Sequence, residues 1–549
     1  MSKLYKNAVK QQEDKTLQLD KVVENFMGGD SYTVNPLDTL KMVTASSIFG
    51  EPSYYRGSKM GGASYVSRIW DKELKGYLGE HLMKFAEPKE TTEDIMIKAI
   101  DDALAYDFEA TLKWAAELRH EYFIRLNPQV ILARAAMHPK RQEFTEKAAP
   151  GTFRKYASQI MSRADDAMSG IAYYMYATGG KGKMPSVLKR SYADKLSKLN
   201  AYQVAKYKNH EMGLIDATRI VHANSKVLDE LMKNGTVEVS ESDKTWENLR
   251  SEGKSWEEIF QTVSMGHMAL LRNIRGFFNE VTDMELRKQY LEKLKAGVLT
   301  GKQFPFRYYN AYNVIEKETF RGKEMVLDAL EECLDISLDN MPKLEGNTVI
   351  LTDNSGSAWG AVPTEYGKVT IAEINNLSAV ITAARSDYGV VIKFGDTTRT
   401  WEISKRKGIL AQAKAISKDQ YSDVGGNTEG GIWEFFHNAI TAKEKWDNIF
   451  IYSDQQAGHG GLYGTYTHKK AYEQEYGCCG SNINVFKLVL EYRKKVNKKA
   501  NVFSVQTAGY DNNIIPDYAY RTNLMYGWTG REIIFAKAMI DLWNQVENR

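Results

Sequence analysis

From about residue 90 to residue 340, apolar positions recur at helical spacing. In TTEDIMIKAIDDALAYDFEATLKWAAELRHE, Thr91 stands three before Asp94 as a capping residue. Ile97, Ile100 and Leu104 then form one stripe, and Phe108 and Leu112 begin the next. The same period runs through NPQVILARAAMH, GTFRKYASQIMSRADDAMSGIAYYMYA, SVLKRSYADKLSKLNAYQVAKYKN, GLIDATRIVHANSKVLDELMKN, SWEEIFQTVSMGHMALLRNIRGFF and DMELRKQYLEKLKAG. Asn127-Pro128, His138-Pro139, Gly179-Gly180 and Gly235 punctuate these segments. The pattern predicts helices of modest length on short turns, paired and stacked as an α-solenoid or ring. The period is too irregular to name a repeat type.

Near residue 345 the pattern changes. NTVILTD, YGVVIKFGD, WDNIFIYSD and NVFSVQT are short β-branched and aromatic runs of the kind that form buried strands. Helical patterns separate them: VTIAEINNLSAVITAARS, EGGIWEFFHNAITAKEK and SNINVFKLVLEYRKKVNK, with TGREIIFAKAMIDLWNQVEN closing the chain. Strand alternating with helix predicts a mostly parallel, doubly wound sheet. An acidic stretch (Asp328, Glu331, Glu332, Asp335, Asp339) followed by MPKLEGN marks the boundary. The expected division is a helical domain over 1–343 and an α/β domain over 344–549.

A chain of 549 residues has room for two to four domains, in keeping with that division. With 43% hydrophobic and 26% charged residues, wholesale disorder and collagen-like structure are excluded. Cys333, Cys478 and Cys479 are too few for a disulfide framework and lack zinc spacing, which points to a reducing compartment. The N-terminal MSKLYKNAVKQQEDKTLQLD has no apolar core of a secretory signal, and no apolar run approaches the ~20 residues of a membrane span. The expected location is the cytoplasm, with no membrane partner.

A net charge of +3 does not mark the whole chain as a polyanion binder. Its distribution does mark one region. Residues 151–210 carry eleven Lys and Arg against Asp165, Asp166 and Asp194, so this window is +8 and the remainder is net negative. A basic region inside a balanced protein is the footprint of an anionic partner.

Ligands of open α/β sheets bind beyond the carboxyl ends of the strands. The first strand here ends in Asp353-Asn354-Ser355-Gly356-Ser357, which can aim one carboxylate and two hydroxyls at a common point. GGNTEG supplies Thr428, and IFIYSD ends in Asp454. Asp353, Ser355, Ser357, Thr428 and Asp454 are hard oxygen donors with few charges, a set suited to Mg²⁺ or another divalent cation. The set resembles the metal-ion-dependent adhesion site of von Willebrand factor A domains. That resemblance implies capture of a partner's carboxylate without bond breaking, hence no catalytic residue. His437 and His459 are near the set in sequence only and are not assigned as a general base.

A helical half followed by such a domain is the organisation of the Ro ribonucleoprotein (TROVE) family, and several blocks in order carry the resemblance. TLKMVTASSIFGEPSYYRG resembles the family's N-terminal segment, and KMPSVLKRSYADKLSKLNAYQVAKYKN its basic helix and Lys-Tyr-Lys helix end. GLIDATRIVHANSK is similar to its Asp-x-x-Arg-x-x-His element, MALLRNIRGFF to its Leu-Leu-Arg-Asn helix and KQFPFRYYNAY to its Pro-Phe-Arg-Tyr segment. The resemblance implies a ring of HEAT-like helical pairs closed by the A domain. It implies Y-like small RNA on the outer basic surface and single-stranded RNA 3′ ends in the central hole. It also implies association with polynucleotide phosphorylase or another exoribonuclease, and a monomeric ring serving RNA quality control or decay. Position by position, Lys189 and Arg190 match the basic pair, Lys206 and Lys208 the Lys-Tyr-Lys end, and His222 the RNA-contacting histidine. Arg272 and Arg307 match basic positions of the ring lining.

Two departures stand out: Asn354 replaces an apolar residue of the family pattern, and the polar stretch over 459–480 is unusually long. The contrasting expectation is a Mg²⁺-dependent protein-interaction module with no RNA role. A nuclease is the weakest reading, because metal-dependent phosphodiester cleavage commonly uses carboxylate-rich, often two-metal sites.

Overall fold

The computed structural model describes residues 22–24, 30–46, 92–122, 124–180, 183–208, 212–239, 244–303, 305–338, 341–360, 369–404, 406–426, 429–455, 484–508, 513–516, 519–527 and 532–547. A short antiparallel ribbon, β1 (Val22–Glu24) with β2 (Asp30–Tyr32), leads into α1 (Pro36–Ser46). The first helical arc comprises α2 (Thr92–Tyr106), α3 (Phe108–His120), α4 (Leu126–Met137), α5 (Arg141–Lys147) and α6 (Thr152–Ile160). It continues through α7 (Ala164–Ala177), α8 (Ser186–Leu196), α9 (Ala201–Tyr207), α10 (Leu214–Val221) and α11 (Lys226–Asn234). The second arc comprises α12 (Trp246–Ser251), α13 (Trp256–Thr262), α14 (His267–Glu280), α15 (Met284–Ala296), α16 (Val298–Gly301), α17 (Pro305–Ile315) and α18 (Lys323–Leu338). The α/β portion runs β3 (Leu344–Asp353), α19 (Gly356–Gly360), α20 (Ile371–Ala384), β4 (Ser386–Phe394), β5 (Thr398–Glu402), α21 (Ile409–Ser417) and α22 (Glu429–Thr441). It ends with β6 (Asn448–Ser453), α23 (Val485–Lys495), β7 (Asn501–Gln506), β8 (Thr522–Tyr526) and α24 (Glu532–Glu547).

Local chemistry explains the helix boundaries. The long helical pattern that opens at residue 91 is two helices, because Asp107 is extended (φ −146°) and caps α3. Its side chain accepts from the Ala110 amide at 2.9 Å. Thr91 lies outside the described residues. Buried Met96, Ile100, Ala103 and Leu104 form the inner stripe of α2, while Ile97 is half-buried. Capping boxes start α9 (Asn200/Gln203), α12 (Thr245/Asn248), α13 (Ser255/Glu258) and α20 (Thr370/Glu373). Gly235 ends α11 in the left-handed region.

The sheet order is β5-β4-β3-β6-β7-β8, parallel throughout except for β5. Its central strands are buried on both faces, as their continuous apolar runs require. The edge strand β5 and the helix α21 have no counterpart in the sequence reading, and neither has β8. β5 reads Thr-Arg-Thr-Trp-Glu, a half-exposed charged edge with the Arg399 guanidinium over the Trp401 ring at 5.1 Å.

The helical path begins and ends on the α/β portion. At its start, Trp114 of α3 meets Tyr526 of β8 edge to face at 6.2 Å. The indole N–H of Trp114 donates to Thr44 Oγ1 at 2.9 Å. Gly527 adopts φ +79° against Ala45, whose carbonyl oxygen would stand 2.8 Å from any added Cβ. Tyr32 and Asn513 pair through their backbones at 2.8 and 3.1 Å. At the other end, α17 and α18 pack on α20 and α21. Here the Glu331 carboxylate accepts from the Leu410 and Ala411 amides at 3.0 and 2.9 Å, capping α21 from the neighbouring arc. Burial raises the pKa of that carboxyl.

Three apolar clusters fill this architecture. One belongs to the first arc with α1, one joins the second arc to one face of the sheet, and one lies under the other face with α22 and α23. Among the described residues the two arcs therefore share no core. They are joined by residues 234–246 and by their separate attachments to the α/β portion, which makes the path a closed circuit.

Candidate nucleic-acid interface and metal pocket

Strand order locates the candidate metal pocket. From β3 the chain moves to β4 and β5 on one side, then crosses to β6, β7 and β8 on the other. The carboxyl ends of β3 and β6 thus flank the topological switch point, where open α/β sheets bind ligands. Asp353 ends β3 and Asp454 follows β6; both are buried. Asp353 Oδ1 accepts from the Ser355 amide at 2.9 Å and Oδ2 from the Ser453 hydroxyl at 2.6 Å. Ser355 and Ser357 are buried with their hydroxyl oxygens 3.0 Å apart. The Gly356 amide donates to the Gly426 carbonyl at 2.8 Å, which brings the 425–426 turn against this loop. Thr428, two residues on, lies outside the described residues, as does His459. His437 is half-buried and stacks on Trp433 at 4.7 Å.

Burial pushes the Asp353 carboxyl up from its ordinary range, and the hydrogen bonds that oppose this come from neutral donors. A divalent cation would remove that penalty, and the nearby donors are hydroxyls and carboxylate oxygens of the hard type. Among the described residues there is no cluster of three or more His, Cys, Asp or Glu side chains able to hold a metal. The oxygens of Asp353, Ser355 and Ser357 are of the donor type that a single hard cation takes. Asn354, the departure from the apolar pattern, has a partner. Its side chain exchanges hydrogen bonds with Asn376 of α20 at 2.8 and 3.0 Å, and Asn376 also bonds Thr352 and Ser417. This buried amide pair fixes the loop to the helix behind it.

The second site is a cavity of about 890 Å³ between the two arcs. Arg125, Arg163, Tyr202 and Lys206 line it from the first arc. Lys244, Thr245, Trp246, Glu247, residues 263–266, Met268, Ala269, Arg272 and Arg307 line it from the second. Six cations face one carboxylate. Arg163 is held by Asp165 at 3.1 Å and by the Tyr207 hydroxyl, and Lys244 by Glu252 at 2.9 Å. Lys206 lies over both Tyr202 and Tyr207, its ammonium 5.9 Å from each ring centroid.

Three of the seven sequence-expected RNA residues line the cavity and four do not. Lys206, Arg272 and Arg307 line the cavity. Lys189 and Arg190 lie on α8, Lys208 follows α9, and His222 ends α10 in a left-handed conformation (φ 57°) with its ring exposed. The acids of the basic window are already engaged: Asp194 with Arg154, Asp165 with Arg163, and Asp166 with buried Arg119 at 3.0 Å. Lys189, Arg190, Lys206 and Lys208 form no ion pair among the described residues. Lys195 is partly withdrawn, donating to the Ser162 carbonyl at 2.8 Å, and burial lowers its pKa. Arg125, Lys244 and Trp246 escaped the sequence reading because they sit at helix starts and in a connector, far apart in the chain.

Residues 238–373 match the TROVE domain family. This stretch, about a quarter of the chain, carries the likeness to the TROVE domain. The matched stretch contains the second-arc wall of the cavity and Asp353, Ser355 and Ser357 of the metal pocket. No curated protein matches the chain. Among solved structures it is similar to the RO (RSR) protein of Deinococcus radiodurans, with a TM-score of 0.55 and 13% sequence identity. The match covers 92% of this chain and 100% of the other, so the likeness of fold extends over both helical and α/β portions.

Proposed function

We propose that this protein is a non-catalytic RNA-binding scaffold. The observation that carries the reading is the cavity between the arcs, where six cations and two aromatic side chains face a single carboxylate. Phosphates neutralised there would give affinity with little base identity. At about 890 Å³ the cavity suits a few unpaired nucleotides, such as a single-stranded 3′ end, and is too small for a duplex. Lys189, Arg190, Lys208 and His222, outside the cavity lining, are assigned to the phosphates of a structured, Y-like RNA. Presenting a 3′ end in this way serves RNA quality control or decay with an exoribonuclease such as polynucleotide phosphorylase as partner. A monomer suffices, because one chain closes the circuit.

The test uses a stem-loop RNA with a single-stranded 3′ tail, and each part alone, in filter-binding titrations. Lys206→Ala with Arg272→Ala is expected to weaken the tail, and Lys189→Glu with Arg190→Glu to weaken the stem-loop. Wild-type affinity for both parts in all these variants overturns the assignment.

The metal pocket supports a second and compatible reading. Asp353, Ser355, Ser357 and Asp454, together with the sequence-expected Thr428, would hold Mg²⁺, which would supply an open position for a partner's carboxylate. Asp353 and Asp454 would carry the charge, and the Asn354–Asn376 pair would keep the loop in register. Partner capture abolished by EDTA or by Asp353→Ala, yet indifferent to RNase, is the outcome expected of this reading.

A further inference from the structure

The two walls of the cavity share a construction that the charge argument leaves unexplained. On the first arc, the Asn200/Gln203 capping box fixes the start of α9 and thereby places Tyr202 in its first turn. Val204 is the buried residue of that short helix, so Tyr202 and Lys206, four apart, share another face, and both line the cavity. On the second arc, the Thr245/Asn248 capping box fixes Trp246 as the first residue of α12. The indole rests against Trp256 with centroids 5.7 Å apart and an interplanar angle of 32°, while Arg250 lies over Trp256 at 5.0 Å. Each wall thus presents a half-buried aromatic residue close to a helix cap, Trp246 against Trp256 and Tyr202 beside the Lys206 ammonium. Trp246 also packs on the apolar core of the second arc, so its placement is held by the fold while it still lines the cavity.

We propose that Tyr202 and Trp246 are base-stacking residues, one on each wall, that hold unpaired nucleotides irrespective of sequence. This rests on the RNA-binding reading of the same cavity and adds to it the part of the nucleotide that is recognised. Every base has a π face, so stacking discriminates unpaired from paired strands without reading hydrogen-bond edges. Lys206 and Arg272, by contrast, address the phosphates. The two contributions are separable, because an abasic strand keeps its phosphates and offers nothing to stack.

The experiment measures fluorescence anisotropy of the full chain with a short oligouridylate and with its abasic counterpart of equal charge. Tyr202→Ala and Trp246→Leu are each expected to lose affinity for oligouridylate on the order of tenfold, with no change on the abasic strand. Trp246→Leu keeps an apolar side chain against Trp256, and Tyr202→Phe is expected to retain wild-type binding. Lys206→Ala and Arg272→Ala are expected to weaken both strands. Equal losses on the two probes, or no loss on either, overturn the stacking assignment while leaving RNA in the cavity. Failure of the wild-type protein to bind either probe overturns the cavity reading itself, and the stacking assignment with it.

Discussion

Consider the double substitution Lys206→Ala/Arg272→Ala, which removes two cations from opposite walls of the cavity. Arg163 and Lys244 are already paired with Asp165 and Glu252. Arg125, Lys206 and Arg272 form no ion pair among the described residues, so these three are the cations most free to displace counterions. Each phosphate neutralised on a single strand contributes about −0.7 to the slope of log affinity against log salt concentration. Three such contacts give a slope of about −2, or a roughly twentyfold loss between about 50 and about 200 mM salt. With two contacts removed the slope falls to about −0.7 and the loss to about threefold. The assay is anisotropy of a labelled single-stranded RNA at stepped salt concentration, with Lys189→Ala/Arg190→Ala as the control that leaves this slope unchanged. An identical slope for wild type and the cavity variant would refute the reasoning, whatever the absolute affinities.

Three further outcomes are expected. Mg²⁺ should raise the melting temperature of the wild type and leave Asp353→Asn unmoved; saturation at a hundred times the dissociation constant corresponds to about 2.7 kcal/mol, read by differential scanning fluorimetry. Glu547 should contribute to stability at neutral pH. Burial opposes its charge, but hydrogen bonds from Arg521, Lys499 and Tyr520 lower its pKa from 4.5 to about 2. A depressed carboxylate pKa stabilises above the unfolded value and loses that effect as pH falls through the folded one. Glu547→Gln should therefore cost about 1–2 kcal/mol at pH ~7 once solvent screening is allowed for, the deficit shrinking below about pH 4.5 and vanishing near about pH 2 in urea titrations. Gly301→Ala would set a Cβ 2.5 Å from the ring of His267, which is held by the Leu294 carbonyl at 2.8 Å and the Tyr308 hydroxyl at 2.9 Å. The overpacking should cost about 1–3 kcal/mol in thermal melts.

The sequence carried the fold class because period is a local property. The buried runs NTVILTD, YGVVIKFGD, IFIYSD and NVFSVQT all became strands, and the helical stripes became helices. The break at Asp107 was missed because an apolar stripe continues across it, while a capping carboxylate needs only one residue. The edge strand β5 was missed because charged, half-exposed residues carry no burial signal. Asp353, Ser355 and Asp454 stood out by motif spacing, yet their placement at the switch point depends on strand order, which no spacing encodes. The cavity set was legible in part. Lys206, Arg272 and Arg307 lay in recognisable blocks, whereas Arg125, Lys244 and Trp246 converge through the curvature of two arcs.

The short helix α1 deserves a last consideration for what it joins. Leu40 and Val43 enter the interior of the first arc, and Met42 enters the layer beneath the sheet. Thr44 meanwhile receives Trp114 through its hydroxyl and Asn127 through its carbonyl, the latter at 2.7 Å. Eleven residues thus help to rivet two units that also meet where Trp114 packs on Tyr526. Loosening that rivet would let one unit swing away while both stayed folded, a failure that secondary-structure spectroscopy would scarcely register and that hydrogen exchange at the seam would reveal.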